Sequence, residues 1–458
     1  MKRYRFIFLL FFVLVIAGCG GGGGSSSDDN GGGGNGGSGG GTVETACLCF
    51  TSSGSTVVSI RINGTLDNIP ALEYSKDGST WTPIVLKNDD TVKVSDLSDG
   101  EKVYLRAHNT NNSFSESVSK FIQFVFTGTG SISASGNIMS LLDKTLSSTK
   151  IPCDRCFCRL FENCTALTRA PVLPAVTLTS GCYQNMFYGC TNLTTAPELP
   201  ATELADYCYN YMFYGCTKLV TAPDLPAKIL AINCYKFMFY GCSSLATAPD
   251  LPATTLADCC YASMFMGCTN LTTAPNLPAT ELADSCYSEM FSGCTSLTTA
   301  PALPAETLAS ECYHSMFTGC TSLVTAPALP ATTLADKCYY GMFSVCINLL
   351  NAPTLPATVL KTNCYHSMFY NCTSLVTAPD LPAITLVDGC YSLMFNSCTN
   401  LNYIKVSFTS WGPQTNGWVY NVKKGGTFVC PESLAMEPGS SGDRGVNKVP
   451  ISFFVENP

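Results

Sequence analysis

Residues 182–207 read CYQNMFYGCTNLTTAPELPATELADY, and this 26-residue unit occurs ten times along the chain. Its first cysteine recurs every 26 residues, and a second cysteine follows eight residues later, with no insertion or deletion. The first cysteines are Cys156, Cys182, Cys208, Cys234, Cys260, Cys286, Cys312, Cys338, Cys364 and Cys390. The second are Cys164, Cys190, Cys216, Cys242, Cys268, Cys294, Cys320, Cys346, Cys372 and Cys398. A strict period of this length indicates a solenoid whose units stack in register.

The segment around the first cysteine predicts a short helix. Cysteine and methionine lie four residues apart, as do tyrosine and phenylalanine, which would give one broad apolar face. Glycine or asparagine precedes the second cysteine in most units, as at Gly189 and Asn371. Both residue types accept the left-handed conformation that commonly ends a helix. Val345 occupies this position in one unit, and we expect local strain there.

The rest of the unit contains two prolines, which predict an extended backbone. A short strand such as residues 193–196 is expected, ending before Pro197. The predicted fold is therefore an α/β repeat solenoid of the leucine-rich-repeat type, covering residues 150–415, with ten units of short parallel strands and short helices. A core ladder of ten phenylalanines, one per unit, would run through it, from Phe161 to Phe395.

The run Met-Phe-x-Gly-Cys-Thr-x-Leu, followed by an extended segment with Leu-Pro, resembles the BspA-like leucine-rich-repeat surface proteins of Gram-negative anaerobes. The resemblance covers residues 150–415. It implies a surface-exposed binding or adhesin-like role and carries no catalytic site. This chain departs from the shorter family unit by extra residues before Cys-Tyr and by its second cysteine, which puts helix length and cap geometry in doubt.

The N-terminus has the features of a lipoprotein signal. Three basic residues precede an apolar stretch at residues 6–16, which is too short to span a bilayer as a helix of about 20 residues. Ile16-Ala17-Gly18-Cys19 looks like a lipobox, so we expect residues 1–18 to be removed and Cys19 to carry lipid. Residues 19–42 are rich in glycine and serine and predict a flexible linker. The expected location is the outer membrane, lipid-anchored and facing the cell exterior.

Non-repetitive segments flank the solenoid on both sides. In residues 43–145, short β-branched and aromatic runs alternate with turn signals, which predicts a small all-β sandwich resembling an immunoglobulin domain. Its expected strands include residues 57–60, 81–85, 103–105 and 121–125. Residues 416–458 lose the repeat pattern but retain aromatic residues such as Trp418 and Phe428, which predicts a C-terminal cap.

Composition and the absence of catalytic motifs limit which kinds of function this protein can have. The formal net charge is −8 and basic runs are absent, which argues against nucleic acid as a partner. No phosphate-binding loop, nucleophile elbow, zinc-protease helix or dinucleotide fingerprint occurs, so no enzyme activity, cofactor or metal is expected. The sequence favours a binding or adhesion scaffold for a protein or glycan. A structural surface protein without a discrete ligand is the alternative, and an enzyme is a remote one.

The cysteines leave two interpretations open. An oxidising compartment would favour disulfides. The eight-residue separation within a predicted helix, about 12 Å, favours free thiols that fill the core. Cys153 and Cys156 form a C-x-x-C, a spacing found at redox and zinc sites. Because Cys156 is also the first repeat cysteine and no partner motif exists, we interpret this pair as structural. His314 and His366 share one unit position and are expected to be solvated.

One region of the repeat surface departs from the rest. Unit positions 4 and 7 hold small or polar residues in most later units, but aromatic residues in units two to four. These candidate partner-binding residues are Tyr188, Tyr211, Tyr214, Phe237 and Tyr240. Tyrosine suits partner recognition because it offers apolar area and a hydroxyl at low entropy cost. The alternative is that these rings merely cover the core or meet the β-domain.

Overall fold

The computed structural model describes residues 46–435 and 445–456 of the chain. The predicted signal peptide, Cys19 and the whole of the predicted linker lie outside these residues. All of the described residues belong to one compact unit. No helix in the described part is long and apolar enough to cross a membrane.

Two β-sheets form the region before the repeats. Their strands are β1 (Leu48–Ser53), β2 (Thr56–Asn63), β3 (Leu72–Ser75), β4 (Thr82–Ile84), β5 (Thr91–Leu97), β6 (Lys102–Ala107), β7 (Phe121–Gly128) and β8 (Ser131–Ser135). The segments predicted as strands overlap β2, β4, β6 and β7. One sheet has the order β5-β2-β7, and the other includes β4-β3-β6-β1-β8. The two sheets meet through Phe50 and Phe124, whose ring centroids lie 4.9 Å apart edge to face.

The first repeat continues the second of these sheets. Strand β9 (Leu167–Arg169) pairs with β8 in parallel, so the sheet runs from the β-domain into the solenoid. Phe161, the first ring of the phenylalanine ladder, stacks on Phe124 of β7 at 5.2 Å. A 3₁₀ turn at Ile138–Leu141 lies between β8 and the repeats and is buried. The β-domain therefore closes the first end of the repeat stack with apolar side chains.

The predicted helices of the repeat are absent from the described residues, and the α/β description is wrong. The segment forms consecutive β-turns instead. Within it, Gln184 N–H donates to the carbonyl of Gly181, three residues back, at 3.0 Å. The next N–H, of Asn185, donates at 2.9 Å to Asn210 in the following repeat. Half of the backbone N–H groups of this segment thus donate hydrogen bonds to carbonyls of the neighbouring unit. In an α-helix they would donate to carbonyls of the same segment.

A left-handed residue at every fourth position prevents the helix. In the second unit these residues are Gly181, Asn185 and Gly189, with φ values of 59°, 56° and 69°. The left-handed conformation at the residue before the second cysteine was predicted correctly, but it closes a turn and not a helix. In successive four-residue turns, side chains four residues apart point to the same side, as they do in a helix. The cysteine and the methionine of a unit therefore share one side, and so do the tyrosine and the phenylalanine. The spacing of apolar residues therefore could not distinguish the two structures.

The extended half of the repeat contains less strand than predicted. In residues 193–196 only Thr195 pairs, through isolated parallel bridges to Arg169 and Thr221. Pro197 and Pro200 follow Thr195 and have no backbone N–H to donate, which limits the pairing beyond it. Equivalent bridges join later units, for example Thr273 to Thr299.

Buried side chains stack in register along the whole solenoid. Adjacent ladder phenylalanines, from Phe161 to Phe395, are nearly parallel; Phe239 and Phe265, for example, are 5.6 Å apart. A second ladder of tyrosines runs beside them, with Tyr235 and Tyr261 at 5.7 Å. The methionine of each unit, replaced by Leu160 in the first, completes this continuous core together with both cysteines and one leucine per unit. All of these residues are buried.

The C-terminal segment continues the stacking in a different form. Strands β10 (Tyr403–Lys405), β11 (Gly426–Val429) and β12 (Phe453–Glu456) make a parallel three-stranded sheet. A 3₁₀ turn at Pro413–Thr415 and a single α-helical turn, α1 (Glu432–Ala435), complete the described elements. Phe395 N–H donates to the carbonyl of Trp418 at 2.8 Å, and the Trp418 ring is fully buried. This segment therefore covers the last repeat.

Candidate interaction surface

The five aromatic residues singled out from the sequence form one contiguous cluster, called here the aromatic cluster (Tyr188, Tyr211, Tyr214, Phe237 and Tyr240). Tyr188, Tyr214 and Tyr240 stack in one row, with ring centroids 4.6 and 4.4 Å apart. Tyr211 and Phe237 form a second row at 4.6 Å. The rows touch at Tyr211–Tyr214, 5.8 Å, and at Phe237–Tyr240, 5.9 Å.

The turns, and not a helix, bring the two rows together. Tyr214 N–H donates to the carbonyl of Tyr211 at 3.2 Å, which closes a turn with both rings on its outer side. Tyr211 and Phe237 have φ values of 56° and 57°, an unusual conformation for large side chains. The chain thus holds two bulky residues in the left-handed region at the centre of this surface. Such strain costs on the order of 1–2 kcal/mol per residue.

All five side chains are half-buried, so each ring also offers part of its surface to solvent. Burial, together with the neighbouring Tyr240, raises the pKa of Tyr214 to about 12. The pKa of Tyr211 is also raised by burial. These two phenols are therefore neutral at physiological pH. They can donate as well as accept hydrogen bonds.

A polar row borders the aromatic cluster. Gln184 donates its amide to Asn210 at 3.1 Å, and Asn210 donates to the carbonyl of Lys236 at 3.1 Å. The ammonium group of Lys236 lies 5.5 Å from the centre of the Phe237 ring. Aromatic faces beside amide and ammonium groups are a combination that can bind both the apolar faces and the hydroxyls of a ligand.

The cluster ends where the fifth unit begins. At its positions 4 and 7 this unit has Ser263, which is buried and donates to Glu289 at 3.0 Å, and the half-buried Met266. The sequence analysis overlooked Tyr207, which is 38% exposed and lies four residues before Tyr211. Its φ of 59° places it in the same left-handed pattern. Searching every left-handed position for aromatic residues would have found it.

A second aromatic stack lies further along the solenoid. His314, Tyr340 and His366 stack face to face at 4.8 and 4.5 Å. The expectation that the two histidines are solvated is wrong, because both are half-buried. Burial lowers the pKa of each, so both imidazoles are neutral at pH 7. Within the described residues no group of histidine, cysteine or carboxylate side chains is arranged to hold a metal ion.

Every described cysteine is a free thiol. The second cysteine of each unit donates its S–H to a phenylalanine carbonyl of the preceding segment, as Cys268 does to Phe239 at 3.1 Å. The two repeat cysteines of a unit therefore have separate packing roles and are not paired with each other.

The comparisons with known proteins agree with the repeat pattern. The family model described as "BspA type Leucine rich repeat region (6 copies)" matches residues 100–237, 158–273, 236–376 and 335–412. The chain belongs to this family. Its members' repeat unit thus accounts for most of residues 100–412, including the segment that carries the aromatic cluster. No curated protein and no solved structure matches the chain.

Proposed function

We propose that this protein is a non-catalytic cell-surface scaffold that binds a protein or glycan partner through the aromatic cluster. The observation that carries the proposal is local: five stacked, partly exposed aromatic rings occupy units two to four of an otherwise regular solenoid. The backbone at the unit position of Tyr211 is left-handed in other units too, where it holds small side chains such as Ser263 and Ser315, so a uniform structural rod has no need of large aromatic rings there.

The chemistry of the surface favours a glycan over a flat protein surface. Stacked rings with neutral hydroxyls suit the apolar faces of sugar rings, and the half-buried amide of Gln184 beside them suits their hydroxyls. The overall negative charge, −8 for the full chain, disfavours polyanionic partners such as nucleic acid.

Binding is tested by exposing residues 42–458, which form one compact unit, to a glycan array and, in parallel, to a pull-down with candidate surface proteins. Tyr211→Ser combined with Tyr214→Ser should abolish the binding found, with thermal unfolding nearly unchanged. Tyr340→Ser is the matched control, because Tyr340 is also half-buried and stacked but lies outside the cluster. The control should bind like the wild type. Loss of stability with unaltered binding would make the cluster structural.

We also propose that Cys19 anchors the protein to the outer membrane through lipid, with the folded part facing the exterior. The basis is the lipobox-like Ala17-Gly18-Cys19 after a short apolar stretch. Replacement of Cys19 by serine should give a soluble, unlipidated protein. Unchanged membrane fractionation and lipid labelling of that variant would contradict the anchor.

A further inference from the structure

Cys153 breaks the repeat pattern at the junction between the β-domain and the solenoid. The equivalent position, three residues before the first cysteine, is alanine in six later units: Ala205, Ala231, Ala257, Ala283, Ala309 and Ala335. The segment from Cys153 to Cys156 is a turn, which brings residues three apart to within about 7 Å between Cα atoms. A disulfide requires a separation of this size.

The two thiols of this turn have different surroundings. Cys153 is half-buried, whereas Cys156 is fully buried as the first cysteine of its ladder. The Cys156 thiol hydrogen-bonds to Cys153, and Ser113 and the backbone N–H of Phe114 do so from a loop of the β-domain. These donors stabilise a thiolate at Cys153, chiefly through Cys156, and lower its pKa to about 7. Burial raises the pKa of Cys156 well above its ordinary value.

This asymmetry separates Cys153 from the other cysteines. Among the described residues, it is the one cysteine whose pKa is lowered. The ladder cysteines have raised pKa values because they are buried; Cys182, for example, rises to about 12. An accessible, acidic thiol beside a buried partner is the arrangement found in dithiols that exchange with disulfides.

A cavity lies beside Pro152, the residue that precedes Cys153. This cavity of about 190 Å³ is lined by Thr110, Asn111 and Asn112, which directly precede the loop residues Ser113 and Phe114, and by Pro152. Its lining also includes the apolar side chains of Met139, Leu142 and Leu146. Its size suits one half of a small disulfide better than a protein segment.

We propose that Cys153 and Cys156 form a reversible redox site that exchanges with a small-molecule disulfide. The Cys153 thiolate attacks one sulfur of the disulfide RSSR, which releases one thiolate and leaves a mixed disulfide at Cys153. The Cys156 thiol then loses its proton and attacks the Cys153 sulfur, which releases the second thiol. The pair is oxidised by two electrons and loses two protons, and RSSR is reduced to two RSH.

Cystine is the probe for the test. The reduced chain is incubated with cystine, alkylated, and digested with trypsin without reductant. Cleavage after Lys150, Arg155 and Arg159 separates the two cysteines into peptides 151–155 and 156–159. If Cys153 and Cys156 form the proposed redox site, mass spectrometry should find these two peptides joined by a disulfide, with a mass two hydrogens below the sum of the reduced peptides. In Cys156→Ser, or Cys156→Ala if the serine variant folds poorly, peptide 151–155 should carry one cysteinyl adduct instead. Cys153→Ser should give neither product.

Cys259→Ser is the matched control, because Cys259 is also half-buried but is directly followed by Cys260 and has no cysteine three residues away. It should react like the wild type. In the unmutated protein, alkylation of Cys153 should reach half its maximal rate near pH 7. Joined peptides that persist in Cys156→Ser would identify Cys158 as the partner and overturn the proposal. So would an unmodified Cys153, or oxidation by a protein disulfide but not by cystine.

Discussion

At the scale of single residues, the second cysteine of each unit both fills the core and donates a hydrogen bond. Its S–H reaches a phenylalanine carbonyl of the preceding segment, as Cys294 does to Phe265 at 3.1 Å. Alanine or valine would leave that contact unmade, and serine would bring a more strongly hydrated hydroxyl into an apolar core. This double role accounts for a cysteine at the second position in all ten units.

The phenylalanine ladder should contribute strongly to stability. Phe265 is fully buried between Phe239 and Phe291, at 5.6 and 5.7 Å. Phe265→Ala should lower the free energy of unfolding by about 3–5 kcal/mol, because it leaves a cavity in the core. Denaturant titration measures the loss. The half-buried Phe237→Ala should cost clearly less, and a loss below about 1 kcal/mol for Phe265→Ala would show that this ring is not a core residue.

Val345 should be a site where glycine stabilises the protein. Its φ of 63° confirms the predicted departure from normal valine geometry. Left-handed backbone costs on the order of 1–2 kcal/mol for a residue with a side chain, and more for a β-branched one. Val345→Gly should therefore raise the free energy of unfolding by about 1 kcal/mol, after the entropy that glycine adds to the unfolded chain.

A substitution in the opposite direction provides the control for Val345. Gly319 occupies the same position one unit earlier, with a φ of 73°. A Cβ there would lie 3.8 Å from the nearest atoms, which belong to Gly293, so space is sufficient. Gly319→Ala, the smallest change of this kind, should therefore be destabilising through its backbone conformation alone. If both variants had the same free energy of unfolding as the wild type, backbone strain at this unit position would not affect stability, and the prediction would be wrong.

At the scale of elements, the sequence was informative about periodicity and less so about conformation. The 26-residue period, the buried phenylalanines and the strands around Val58 and Val103 follow from patterns that the structure confirms. The predicted helix is not confirmed, because successive four-residue turns have the same spacing of apolar residues as a helix. Left-handed positions such as Glu289 and Lys337 hold residues with no preference for that conformation, so only stacking between units reveals them.

The candidate surface was predictable for a reason that did not depend on the helix. Positions 4 and 7 are neighbours in a turn as well as in a helix, so Tyr211 and Tyr214 meet in either case. The redox pair was not predictable, because the C-x-x-C spacing alone does not reveal which thiol is accessible. The difference between the two thiols comes chiefly from the hydrogen bond of Cys156 to Cys153 and from the burial of Cys156. The loop at Ser113 and Phe114, about 40 residues earlier in the chain, contributes less.

At the scale of the whole molecule, one core runs from the β-domain through ten units to the C-terminal sheet. Each end is closed by rings: Phe50 and Phe124 at the first unit, and Trp418 and Phe408 at the last. Solenoid stability depends on neighbouring units, so the stacked thiols and rings act together along the chain. The central claim is that buried free thiols, and not disulfides or helices, fill this core beside the rings.

Alkaline unfolding tests that claim most directly. Burial raises the pKa of all twenty ladder thiols above the ordinary value of 9.0, for example at Cys208 and Cys268. Folded thiols stay protonated as the pH rises through 9, whereas unfolded ones lose their protons, so this stability is complete below pH 9 and is lost above it. Denaturant titrations without reductant, at pH 8, 9 and 10, should show the free energy of unfolding falling steeply as the pH rises through 9. An unfolding free energy that is unchanged between pH 8 and pH 10 would contradict a core of buried free thiols.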